Sequence, residues 1–140
     1  MTFSRISLPT CTAFTIFLLI GSVHSQEIGD HLIDAPGASR FWTTENKISV
    51  SMFAAQMAGD AITTQYGLNH GFREMNPLLR PLVTRGVAGQ TAASALSFGF
   101  GLGIVYWLHA KHHYRAERLT MRMILAGEGA VVGHNIAVIR

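Results

Sequence analysis

Residues 87–109 run for 23 positions without a formal charge. Wound as an α-helix at about 1.5 Å per residue, such a stretch spans roughly 35 Å. That is enough to cross the ~30 Å hydrocarbon core of a bilayer. The run lacks the period-two alternation and the hairpin turn signals of strands, and it is too long for one. Tyr106 and Trp107 stand at its end, where an aromatic belt meets the membrane surface.

Two weaker runs flank it. Residues 48–68 have the length of a span but carry Gln56, Asp60, Thr63 and Thr64. Residues 119–139 are interrupted by Arg122 and Glu128. The pattern predicts an all-α fold, an integral membrane bundle of about three transmembrane helices. Its spans are placed at about 48–68, 87–109 and 119–139 within a membrane domain covering 48–140.

Composition agrees. The 140 residues are 49% hydrophobic and only 14% charged, against about 25% charged in ordinary soluble domains. Mean hydropathy is +0.27. A chain this small exposes much surface, and these charges are too few to cover it. The net charge of +3 comes from basic residues scattered at the ends of apolar runs, which suits membrane flanks better than a clustered nucleic-acid face.

Residues 1–25 read as an export signal: Arg5, then an apolar core over 13–23, then Val23-His24-Ser25 before a predicted cleavage at Gln26. An uncleaved first membrane helix is the alternative. Cys11 precedes the apolar core, so lipidation is not expected, and a processed chain has no thiol. Residues 26–47 are expected to form a polar exported linker ending at the interfacial pair Phe41-Trp42. The predicted location is the inner (plasma) membrane, multi-pass. The loops 69–85 and 110–118 each carry three Lys/Arg, so the positive-inside rule does not choose an orientation. Signal cleavage would leave 69–85 cytoplasmic and 110–118 outside.

Polar residues fall on stripes. Gln56, Asp60, Thr63 or Thr64, and Gly67 share one face of the first helix; Glu128 and Asn135 share a face of the third, with His134 beside them. Gln90, Ser94 and Ser97 line the second. A charged group at a helix centre costs roughly 2.5–3.5 kcal/mol on the insertion scale. These groups are therefore expected to face one another, giving an intramembrane cluster of Asp60, Thr63, Thr64, Gln90, Glu128, His134 and Asn135. The cluster serves either as interhelical glue or as a proton, ion or ligand site. In the loop, Asn76 can cap a helix with Pro77 at its first position, and Pro81 should distort it. Glu74 is placed to fix the turn or to meet free N–H groups at the next helix start.

The series Asp60-Ala-Ile-Thr63-Thr64, then Glu74-Met-Asn76-Pro77, then Gly133-His134-Asn135-Ile136 resembles a family of small bacterial three-helix membrane proteins catalogued only as a domain of unknown function. The resemblance covers about residues 48–139. It implies the architecture and no reaction.

Other constellations are weaker. His109, His112, His113 and Glu117 could bind zinc or form a solvated interfacial turn. Asp60, Glu74, Glu128 and His134 are a weak set for a hard metal ion. No cofactor motif and no zinc-protease signature occurs. Ala95, Gly99 and Gly103 form a small-residue ridge suited to dimerisation or to packing inside the bundle. The expected partners are the lipid bilayer and a second copy or larger membrane protein, with no nucleic acid. The leading functional expectation is a non-catalytic accessory or assembly subunit. A small transporter or ion-conducting oligomer, and a metal-dependent membrane enzyme, are the alternatives.

Overall fold

The computed structural model describes residues 7–8, 40–74 and 76–139. The segments assigned to an export signal and to most of the linker lie outside these, apart from Ser7–Leu8. In chain order the elements are β1 (Ser7–Leu8), α1 (Thr44–Asn69), β2 (Arg73–Glu74), α2 (Arg80–Val83), α3 (Val87–Ala110) and α4 (Tyr114–Val138). The fold is all-α, apart from a two-residue parallel ladder between β1 and β2 that the periodicity gave no hint of.

Three long helices carry the architecture. Thr43 caps α1 by accepting the N–H of Asn46 at 3.2 Å, so the helix starts inside the expected linker, before residue 48. Likewise α4 begins at Tyr114, five residues ahead of the expected 119. The basic turn is thereby reduced to Lys111–His113, because Glu117 N–H already bonds to His113 O. The end of α1 is a glycine C-cap: Gly71 is left-handed at φ 87°, and Phe72 N–H reaches back to Gly67 O. At the end of α3, His112 fills the same left-handed position at φ 60°, with His113 N–H bonding Leu108 O.

Helices α1 and α4 lie parallel. Asn46 meets Glu117, Gln56 meets Leu125 and Asp60 meets Asn135 in rising order. Helix α3 runs against both, with Phe53 beside Phe98 and Gln65 beside Gln90. One half of the interior is apolar: Phe41, Phe53, Met57, Val105, Met121 and Ile124. Phe41 is not interfacial as the sequence suggested. It is buried, with its ring edge-on to Tyr106 and His109, and only Trp42 faces out.

The loop between α1 and α3 is built by its polar residues. Asn76 Oδ1 accepts from Leu78 N–H, and Asn76 O from Arg80 N–H. Asn76 thus caps the turn before α2 rather than a helix starting at Pro77. Pro81 does not distort α2, because it occupies the first turn, where no amide hydrogen is required. Gly89 lets α3 pass close to α2: a Cβ there would overlap the carbonyl oxygen of Leu82.

Among the described residues one helix, Val87–Ala110, is both long and apolar enough to cross a membrane. The polar groups of α1 and α4 keep them below that measure.

Candidate functional site

The other half of the interior is polar. Asp60, Thr63, Thr64, Glu128 and Asn135 are all buried between α1 and α4. Asn135 donates its amide N–H to Asp60 Oδ1 at 2.9 Å and to Thr63 Oγ1 at 3.3 Å. Thr64 Oγ1 donates to the same Asp60 oxygen at 3.4 Å. Thr63 directs its own proton to the carbonyl oxygens of Gly59 and Asp60, which leaves its lone pairs facing Asn135. The helical spacing makes this possible, since positions three and four apart stack on one face.

Glu128 and Glu74 belong to the same neighbourhood. Each lies close enough to Asp60 for the charges to interact. Glu74 is buried, and its carboxylate accepts the N–H of Asn76 at 2.7 Å. This bond fits the turn-fixing role.

Two of the expected seven lie elsewhere. His134 is exposed, because adjacent helical residues point about 100° apart and Asn135 takes the inward position. Gln90 is buried, but it bonds Gln65 and Ser94, each at 3.4 Å, rather than Asp60. Gln65 also donates to Val83 O at 3.0 Å. The two glutamines form a separate node joining α1, α2 and α3. Gln65 was not marked beforehand; its place one turn past Ala61, on the flank of the stripe, was the available signal.

A third polar group closes the opposite end of the bundle. Glu117 accepts Asn46 Nδ2 at 2.6 Å and pairs with His109 Nδ1 at 2.8 Å. Asn46 also donates to Phe41 O at 2.9 Å. Glu117 is thus engaged with an amide as well as a histidine, while His112 bonds Tyr114 and His113 is exposed. The zinc set His109, His112, His113 and Glu117 is not assembled. Neither is the set Asp60, Glu74, Glu128 and His134. Among the described residues no three His, Cys, Asp or Glu side chains converge as a metal cage requires.

The class defined by this geometry is a helical bundle with polar side chains buried between parallel helices. Residues 51–140 match the family described as "Domain of unknown function (DUF5658)", and the chain belongs to that family. No curated protein and no solved structure matches the chain.

Proposed function

We propose that the protein is a multi-pass component of the inner (plasma) membrane, with α1, α3 and α4 as three spans. Its role is that of a non-catalytic accessory or assembly subunit. The observation that carries this reading is the inverted distribution of polarity. Ile62 is 70% exposed and Leu96 65% exposed, with Phe100, Leu119, Met123 and Ile136 also outward. Asp60 and Glu128, by contrast, are 6% and 5% exposed. Water favours the reverse; lipid favours this arrangement. All three helices exceed the about 20 residues a span needs.

The ends fit an interface. Trp42, Tyr106 and Trp107 are exposed at one end, where folding also gathers Arg40 and Lys47 with Lys111, Arg115 and Arg118. The far end carries Arg73, Arg80 and Arg85. With Arg140 following α4, the count is five against four, so the positive-inside rule still does not choose an orientation. The ridge Ala95, Gly99 and Gly103 is exposed, and a Cβ at Gly99 or Gly103 would meet nothing. It is therefore offered to a second copy or a larger membrane partner instead of packing inside the bundle.

A second reading, ion or proton movement through an oligomer, is favoured by the buried pair Asp60 and Glu128. Single cysteines in a Cys11→Ser background test the topology. Ile62→Cys, Leu96→Cys and Ile136→Cys should resist aqueous maleimide until detergent is added, while Lys111→Cys and Arg85→Cys should label from opposite sides. Labelling of all five in intact membranes would overturn the three-span reading. Liposome flux separates the roles: an accessory subunit gives none, whereas flux abolished by Asp60→Asn supports transport.

A further inference from the structure

The seam between α1 and α4 contains more oxygen lone pairs than protons to meet them. Asn135 is 0% exposed. Its amide nitrogen is used twice, on Asp60 and Thr63. Its amide oxygen has no hydrogen-bond partner. Turning the amide over does not remove the difficulty, because it would set two oxygens 2.9 Å apart at Asp60. Thr63 and Thr64 have both committed their single protons, so each hydroxyl retains lone pairs only. Glu128 adds a second carboxylate within charge range of Asp60. The ion pairs among the described residues, His109 with Glu117 and Arg122 with Glu45, touch neither.

Among the described residues no cation pairs with Asp60 or Glu128. Leaving a buried acceptor unmet costs about 1–3 kcal/mol, and more for a charged one. Divalent sites draw much of their affinity from several carboxylates, and no three His, Cys, Asp or Glu side chains converge here among the described residues. One carboxylate, one amide oxygen and two hydroxyls, with Glu128 and Glu74 within charge range, instead match a hard monovalent cation. Membrane proteins hold such ions near the bilayer midplane with carbonyl and side-chain oxygens. Asp60 Oδ1 and Thr63 Oγ1 lie 2.9 and 3.3 Å from Asn135 Nδ2, and Thr64 Oγ1 lies 3.4 Å from the same Asp60 oxygen. With an ion bound, the amide turned over brings its own oxygen to that point, and the close spacing favours a small ion.

We propose that Asp60, Thr63, Thr64 and Asn135 form a Na⁺ site between α1 and α4, with Glu128 supplying the second negative charge. The ion fastens two parallel helices that are not consecutive in the chain. The proposal goes beyond the anchoring role and does not depend on it, since the same oxygens are buried in lipid or in detergent.

The test is thermal unfolding of the detergent-purified full chain, followed by tryptophan fluorescence, in NaCl, KCl or choline chloride at equal ionic strength. A bound ion stabilises the folded state by mass action. Na⁺ should raise the midpoint saturably over choline by several degrees, and K⁺ by less. Asp60→Asn should weaken the apparent Na⁺ affinity by roughly tenfold or more while the protein stays folded in choline, with a midpoint above that of Asn135→Leu. Thr63→Val, which keeps the side-chain volume, should also weaken it and covers the case in which Asp60→Asn does not fold. Equal midpoints in all three salts would overturn the site. So would a Na⁺ response that survives both substitutions, or a midpoint that follows pH alone, which would make a shared proton the occupant. Failure here leaves the cysteine-labelling result untouched, so the two readings fail separately.

Discussion

Asn135 and Asp60 lie 75 residues apart in sequence and meet at 2.9 Å, where the amide of α4 donates to the carboxylate of α1. The contact fixes the register of the two parallel helices, because a slip of one residue turns Asn135 out of the seam and His134 toward it.

Removing the donor should therefore cost more than neutralising the acceptor. Asn135→Leu is expected to destabilise the bundle by about 1–3 kcal/mol, since a buried carboxylate loses its amide partner. Asp60→Asn retains an oxygen that accepts from Asn135 and Thr64, and should cost less. The coupling between the two sites should be about 0.6 kcal/mol, the average for polar contacts between membrane helices, and at most about 1.7 kcal/mol. Unfolding of the single and double variants in choline chloride and mixed micelles measures it. An Asp60→Asn protein less stable than Asn135→Leu would contradict this account of the seam.

Glu117 should be the stability centre of the opposite end. Its carboxylate satisfies Asn46 of α1 and His109 of α3 at once. Glu117→Ala leaves Asn46 short of an acceptor and is expected to cost about 1–3 kcal/mol. Glu117→Gln keeps an oxygen for Asn46 and should be milder. Trp42 packs edge-on to Phe41 beside this network, so its emission should shift in the alanine variant and not in the glutamine one.

The two helix-ending turns should respond in opposite directions. Gly71 and His112 both sit at positive φ, where a Cβ costs roughly 1–2 kcal/mol. Gly71→Ala is expected to lower the unfolding midpoint. His112→Gly should hold or raise it, after the loss of the His112–Tyr114 hydrogen bond at 2.8 Å. A matched shift of the same sign in both would refute the cap assignment.

The outward ridge on α3 separates self-association from folding. Gly99→Ile and Gly103→Ile place side chains into open space, so helicity should be unchanged. Cross-linking in native membranes should lose its dimer band if a second copy packs there. A dimer that persists in both variants would remove this face as the contact.

Much of this was legible in the sequence because period and length carry it. The apolar run at 87–109 placed α3 to within one residue, and the spacing of Asp60, Thr63 and Thr64 placed the seam on α1. Asn135 was found by its seven-residue separation from Glu128. What periodicity does not contain is the register between helices. Asn46 and Glu117 are 71 residues apart, and nothing local to either announces the other. His134 was assigned inward because it neighbours Asn135, yet one helical step separates an inward from an outward direction. The early starts of α1 and α4 were missed because charged first turns read as loop. Their N-terminal residues are solvated, as Glu45 and Arg115 are, and only Asn46 and Glu117 turn in.

The inverted polarity of the bundle is the claim on which the rest stands. Membranes from cells expressing the full chain should be washed with alkaline carbonate and sedimented at high speed. The protein should remain in the pellet and be released only by detergent. Recovery of folded, monodisperse protein in the carbonate supernatant would show that water, not lipid, surrounds Ile62, Leu96 and Ile136.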